Sequence, residues 1–581
     1  MSKTAAWVMV LGTLAVFLML APLPGPAYAA GREAGDRAGS QASLVKLLET
    51  ELQRSLKNLH EEGDAPLFYL QYAVTERHGL SLGVRDGARV SPEREQRRYL
   101  DVDLRVGSPR LDSTHEIRGG DWRDNSSDRR LLDFPLENDA AAVRAALWNE
   151  TEFQYRKAQE RFTKVLTNRQ VKVAEEDQSD DFSPAGAQKY SEPFSATAID
   201  EARWSALLDR VGDFFTRFPF VQESSAFLYV TDQGTTIVNS EGSRLQHGNH
   251  YIRLRLSISG MAEDGMALQR GLIYDGAVIG NLPDEATVLA DAERLVNELQ
   301  ALIDAPVVEP YIGPAILVNR ASGVFFHEIF GHRIEGHRQK SESEGQTFTK
   351  KVGQQILPDF ISVYDDPTLA RFQDTDLRGY YRYDDEATPA QRVTVVENGI
   401  LRNFLTTRSP IENFPASNGH GRREFGSAVV ARQGNLIVDS AKRVSFEQLR
   451  AALIEECRRQ GKPYGLVFAD ISGGYTMTGR GGPQAFKVNP LYVYRVYADG
   501  RPDEVVRGVD IVGTPLTSFS KIILAGDDDA VFNGTCGAES GSVPVSAISP
   551  SVLVSEIEVE KRPKGQDKPP ILPPPGHEGR P

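Results

Sequence analysis

The sequence predicts an α+β chain, a mixed helix and antiparallel sheet N-terminal domain followed by a β-rich C-terminal domain. Three observations predict it. Helical spacing and strand-like alternation are interleaved through roughly the first 300 residues. From Thr394 onward, strand and turn patterns surround a single capped helix. No self-similarity at a fixed period marks a repeat architecture. A length of 581 residues allows two to four domains with their own cores, and 40% hydrophobic with 25% charged residues is an ordinary globular balance.

Residues 1–29 read as a signal peptide and not as fold. Lys3 gives a positive start, 5–20 is almost entirely apolar, Pro22, Pro24 and Pro26 break any helix, and Ala27-Tyr28-Ala29 is a small-x-small cleavage site. An uncleaved signal anchor is the other reading, because the apolar run approaches membrane-spanning length. No later segment has the long apolar run that a membrane helix needs. The mature protein is therefore expected to be exported, periplasmic or secreted, with no membrane contact beyond such an anchor. A net charge of −14 offers no basic face for phosphates, which argues against a nucleic-acid partner.

Residues 30–41 are Gly- and charge-rich and expected to be disordered. Leu44, Leu48, Leu52, Leu56 and Leu59 then recur at helical spacing and predict a helix over 43–59. Runs at 67–74 and 99–106 read as strands, and 140–166 as a long helix. The acidic stretch 175–186 reads as a solvated linker or loop. Strands at 226–230 and 235–239 flank Asp232-Gln233-Gly234, a hairpin signal, and 251–259 alternates as a third strand. A helix over 284–303 closes an N-terminal domain of 30–300. The C-terminal domain, 301–560, opens with a short buried strand at 315–318 and a helix for which Asn319 reads as N-cap. Ser445-Phe446-Glu447-Gln448 is a capping box for a helix ending near Gln460, with Gly461 as its stop. Residues 561–581 hold prolines and charges with little to bury and read as a disordered tail.

His327-Glu328 followed by His332 is close to the zincin pattern, but its histidines are five apart and not four. Five positions turn about 140° around an ideal helix, so both imidazoles reach one ion only if the helix ends or kinks between them. Gly331 sits where that distortion is cheapest. A catalytic zinc takes three protein ligands and leaves a position for water, and Glu328 beside the first ligand suits a general base. The chain has two cysteines, Cys457 and Cys536. Cys457 falls on the apolar stripe of the capped helix with Leu449 and Leu453, whereas Cys536 lies in the glycine-flanked loop Asn533-Gly534-Thr535-Cys536-Gly537 and could complete the metal set. Two plainer readings stay open: a buried, hydrogen-bonded histidine pair with Glu328 as a helix-surface charge, and a Cys457–Cys536 disulfide. A ligand role for Glu335 or His337 stays open as well, with His337 reading as a solvated side chain. His420, in an Arg-flanked glycine loop, is a candidate for substrate binding, with a surface turn as the alternative.

The run Gly323-Val324-Phe325-Phe326-His327-Glu328-Ile329-Phe330-Gly331-His332-Arg333-Ile334-Glu335-Gly336 resembles the H-E-x-x-x-H segment of the TldD/PmbA metallopeptidases. Asp384-Asp385-Glu386-Ala387-Thr388-Pro389, Glu397-Asn398-Gly399-Ile400-Leu401, Gly419-His420-Gly421-Arg422-Arg423 and Asn533-Gly534-Thr535-Cys536-Gly537 resemble further blocks of that family, in order. The resemblance implies a TldD/PmbA-like fold of the metal-bearing branch. It implies one zinc per chain on His327, His332 and Cys536, with Glu328 as base. It further implies a peptide or unfolded-protein substrate added as a strand to a sheet edge, within a homodimer or a heterodimer with a PmbA-like paralogue. Against that pattern 85–190 looks like an insertion or linker. The rival functions are a non-catalytic peptide-binding scaffold and a thiol hydrolase using Cys536.

Overall fold

The computed structural model describes residues 34–119, 130–171, 177–480, 485–562 and Leu572. The expected signal peptide, and the expected tail apart from Lys561, Arg562 and Leu572, lie outside the described residues. Lys561 does not belong to a tail: it closes the strand Val552–Lys561 opposite Val509, and Arg562 pairs with Asp510 at 2.7 Å. Among the described residues no helix is long and apolar enough to cross a membrane.

An eight-stranded sheet organises the N-terminal half, and its five long strands are antiparallel neighbours. They are Leu67–Arg85, Ala88–Ser108, Glu223–Asn239, Arg244–Met261 and Ala267–Gly276. Two helices, Ala34–Leu59 and Ala140–Val171, bury Leu44, Leu48, Leu52, Val143 and Leu147 against Leu70, Tyr72, Leu100 and Val102. Glu201–Phe215 and Glu285–Asp304 bury Trp204, Val211, Leu295 and Leu299 against Leu228, Leu254 and Leu256. Each fully buried leucine stabilises by about 1.5–3 kcal/mol, so these apolar stripes hold the helices to the sheet.

Three expectations are corrected. The first helix begins at Ala34, inside the stretch expected to be disordered. The strand runs 67–74 and 99–106 are the buried ends of a much longer hairpin, joined at Asp86 and Gly87, whose φ angles of 51° and 79° suit a two-residue turn. Its far half is polar and only partly covered, which hid the alternation, and 85–190 includes a strand paired along the whole of Leu67–Arg85 and a helix packed on the sheet. Asp232-Gln233-Gly234 is not a turn: Glu223–Asn239 runs straight through it. Gly234 and its cross-strand partner Gly248 leave room for the Phe194 ring, which a Cβ at either would approach to 2.6 and 2.9 Å. The helix Glu285–Asp304 packs in the N-terminal core through Leu302.

The C-terminal half holds a six-stranded and a second eight-stranded sheet. In the latter, Tyr311–Leu317 pairs both with Tyr464–Thr476 and with Val552–Lys561, so five strands close into a ring. The helix Asn319–Ile329 is wedged between this ring and the strands Ala530–Ala538 and Gly541–Ser549 of the other sheet. Residues 321–329 are all buried, as a helix covered on every side must be. Asn319 is its first residue and not its cap: its amide donates to Asp528 O at 3.0 Å. The helix Phe446–Arg459 carries both bonds of its capping box, and Gly461 follows at φ 66°.

Candidate metal centre

The buried helix ends at Ile329, and Gly331–Arg333 continues as one tighter turn. Gly331 is required there: a Cβ would lie 1.9 Å from Gln433 Oε1. This break turns His332 back beside His327, with ring centroids 5.3 Å apart. Cys536 arrives on Ala530–Ala538, which is an edge strand and not the loop that its glycines suggested. Its Sγ lies 3.3 Å from His332 Nε2, and one donor atom from each of His327, His332 and Cys536 lies within 4.8 Å of the others. The three are 7%, 6% and 5% exposed. Both cysteines are free, and Cys457 is buried on its helix, so no disulfide joins them.

The surroundings orient this set. His332 Nδ1 lies 3.2 Å from Glu335 Oε2, which leaves Nε2 for the thiol side. Glu335 is fully buried, and Arg338 donates to the same oxygen at 2.9 Å. Arg432 donates to the Cys536 carbonyl at 2.7 Å and stands 3.5 Å from the other Glu335 oxygen, tying the thiol strand to the carboxylate behind His332. Burial opposes ionisation of Cys536, yet the two imidazoles hold its thiol well below the ordinary range. Burial likewise opposes the charge on Glu335, but His332 and Arg338 draw it down to about 2. His327 Nδ1 is buried without a hydrogen-bond partner. A thiolate, two imidazoles and an orphaned ring nitrogen fit a zinc ion, and a carboxylate behind a metal histidine is the usual support.

Glu328 is 9% exposed and its carboxylate makes no hydrogen bond or ion pair among the described residues, so it is not a helix-surface charge. Gly474 gives it space, since a Cβ there would meet Glu328 Cγ at 3.1 Å. Together with the metal trio, Glu328 lines a cleft of about 610 Å³ between the two halves of the molecule. One wall is formed by Arg244–Met261 and Ala267–Gly276, the other by Tyr464–Thr476 and Ala530–Ala538. Ala267–Gly276 and Ala530–Ala538 each have a sheet partner on one side only, so two strand edges flank the cleft.

Two candidates resolve differently. His420 is fully buried and lies outside the cleft lining, with Nε2 3.2 Å from Asp365 and Nδ1 2.9 Å from the Asn418 side chain. The structure thus sets it apart from the cleft, and it is not a surface turn residue. His337 is not solvated but pairs with Glu539, a residue that also holds Arg338. Sequence reasoning missed Arg338 and Arg432. Arg338 had a weak signal, three positions after Glu335, and Arg432 had none.

Residues 311–561 match the family model described as PmbA/TldA metallopeptidase C-terminal domain. A metalloprotease of Archaeoglobus fulgidus is 28% identical over 263 residues, 45% of this chain and 56% of that one. A zinc metalloprotease TldD homolog of Saccharolobus solfataricus is 25% identical over 295 residues, 51% of this chain and 60% of that one. The chain thus spans little more than half the length of these curated relatives. TldE from Thermococcus kodakarensis shares the fold, with a TM-score of 0.58 at 14% identity over 88% of this chain and 100% of that one.

Proposed function

Since the chain belongs to the TldD/PmbA family, we propose that it is a zinc-dependent peptidase hydrolysing unfolded or flexible peptides, with one zinc per chain on His327, His332 and Cys536. The observation that carries this reading is the meeting of those three donors, from segments about two hundred residues apart in sequence, beside the Glu328 carboxylate, which has no partner among the described residues, in a cleft. When bound, zinc supplies Lewis acidity and brings the ionisation of water toward neutral pH. Glu328 accepts the proton at its carboxylate and returns it to the leaving amine. Glu335 fixes the His332 tautomer, and Arg432 fixes the backbone that carries Cys536. The free edges of Ala267–Gly276 and Ala530–Ala538 offer backbone hydrogen bonds to an extended peptide, a mode that reads main chain and tolerates many sequences.

The working unit in this reading is a homodimer or a heterodimer with a PmbA-like paralogue, exported to the periplasm or beyond. One observation favours a second reading: Cys536 and His332 at 3.3 Å also make a thiol–imidazole pair. Metal analysis of the purified chain beside Cys536→Ala, with a peptidase assay before and after chelation, separates the two. About one zinc per chain, lost in the variant, with activity that vanishes on chelation, is the expected result. Activity that survives in the metal-free chain would make it a thiol hydrolase.

A further inference from the structure

Most cations of the cleft are neutralised. Arg253 pairs with Asp275, Arg270 with Glu298 and Asp470, and Arg338 with Glu335, Glu344 and Glu539. Arg320 and Arg255 line the same cleft without an ion pair among the described residues. Arg255 is exposed on the N-terminal wall, on the same face of its strand as Arg253. Arg320 is half-buried, its Nε is buried without a hydrogen-bond partner, and its guanidinium stands 5.9 Å from the ring of Phe532, on the strand that carries Cys536.

Position on the helix fixes what Arg320 can reach. It precedes His327 by seven residues, and Val324 between them also lines the cleft. Seven residues are close to two turns, so the three share one face and Arg320 lies about 10 Å along the axis from His327. An extended peptide advances about 3.3 Å per residue, so that span is about three residues of substrate. A partly desolvated guanidinium lacking an acceptor is costly, and a carboxylate in bidentate contact removes the cost.

We propose that Arg320, assisted by Arg255 from the opposite wall, binds a carboxylate of the substrate about three residues from the scissile bond. The inference rests on the peptidase reading and narrows it: the substrates are peptides carrying an acidic side chain or a free C-terminus at that distance.

The test uses the zinc-loaded full chain and three sets of unstructured peptides of equal length. One is neutral with an amidated C-terminus, one carries a single Asp moved along that sequence, and one has a free C-terminus. The kcat/KM of the best carboxylate peptide should exceed that of the neutral peptide by about ten- to a hundredfold. The ratio should fall to near one in Arg320→Gln and part of the way in Arg255→Gln. An optimum Asp position assigns the carboxylate to a side chain, and dependence on a free terminus assigns it to the chain end; either supports the proposal. A wild-type ratio near one, or a ratio unchanged in Arg320→Gln, overturns it. Should Arg320→Gln not fold, the exposed Arg255→Gln decides the matter by the same ratio. Binding of the same peptides to Glu328→Gln, read by fluorescence anisotropy, separates the two failures. Absence of hydrolysis of every peptide overturns the peptidase reading, whereas binding that ignores the carboxylate overturns the arginine assignment alone.

Discussion

The C-terminal domain contains two buried histidine centres built from similar residues. His420 and Asp365 are both completely buried, and their polar atoms are accounted for: Asn418 holds one side of the ring, and Asp365 accepts from the backbone of Gly434 and Asn435 as well as facing the other ring nitrogen. His327, Glu328, His332 and Cys536 are almost as buried but leave a ring nitrogen and a carboxylate without partners among the described residues, and they face a cleft. Burying a polar group without a partner costs free energy, so an arrangement that leaves several such groups together is one kept for a ligand. Residue type does not distinguish the two centres. The satisfied one braces loops, and the unsatisfied one is the place to look for chemistry.

The largest test of that contrast is removal of the metal. Cys536→Ala should drop zinc from about one per chain to near none by mass spectrometry, with loss of all peptide hydrolysis, and a chelator should do the same to the unaltered chain. Retention of zinc by Cys536→Ala would remove the contrast altogether. Next in size, Glu328→Gln should keep its zinc and lose about a hundred- to ten-thousandfold in kcat/KM, the range for a general base. Glu335→Gln sharpens the picture at smaller amplitude, weakening zinc affinity by about ten- to a hundredfold in a competition titration with a chromophoric chelator. At the other centre, His420→Ala should leave zinc content and kcat/KM within about twofold of the unaltered chain while lowering stability by about 1–3 kcal/mol in urea, because Asp365 and Asn418 lose a buried partner. Equal damage to zinc binding would mean that the two centres are one.

How far the sequence reached follows from the same physics. The trio and its base were legible only in part: His-Glu with a second histidine five positions on, and a cysteine among glycines, left a plain hydrogen-bonded histidine pair open, and it was the resemblance to the TldD/PmbA family that implied the full set. The break at Gly331 was legible too, since only a distorted helix brings histidines five apart together. His420 was not legible: whether a glycine-flanked histidine is exposed or locked depends on Asp365 and Asn418, and nothing local reports that Asp365 lies beside it. In the fold, the helices Glu285–Asp304 and Phe446–Arg459 were found close to their true ends, whereas the first helix was started too late and Glu201–Phe215 was not read from the sequence. The long hairpin around Asp86-Gly87 was truncated because its polar half obeys the sheet's hydrogen bonding without burying a face. Gly234 was taken for a turn because its actual purpose, room for Phe194, lies forty residues away.

The two cysteines restate the comparison at its smallest scale. Cys457 packs with Leu449 and Leu453, is fully buried, and burial pushes its thiol up to about 11. Cys536 lines the cleft. In the folded, zinc-stripped chain a thiol reagent should therefore label one cysteine, shown by peptide mapping to be Cys536, and should reach Cys457 only in denaturant. Cys457→Ala should retain full zinc and lower stability by about 1 kcal/mol, the loss of one small apolar group from a packed site. Labelling of Cys457 in the native chain at a comparable rate would show that its helix opens readily and that burial alone does not separate the two thiols. Since Gly465 already places its backbone so that a Cβ would come within 3.0 Å of the Cys457 sulfur, there is little slack for such an opening, and a single labelled site is the expected outcome.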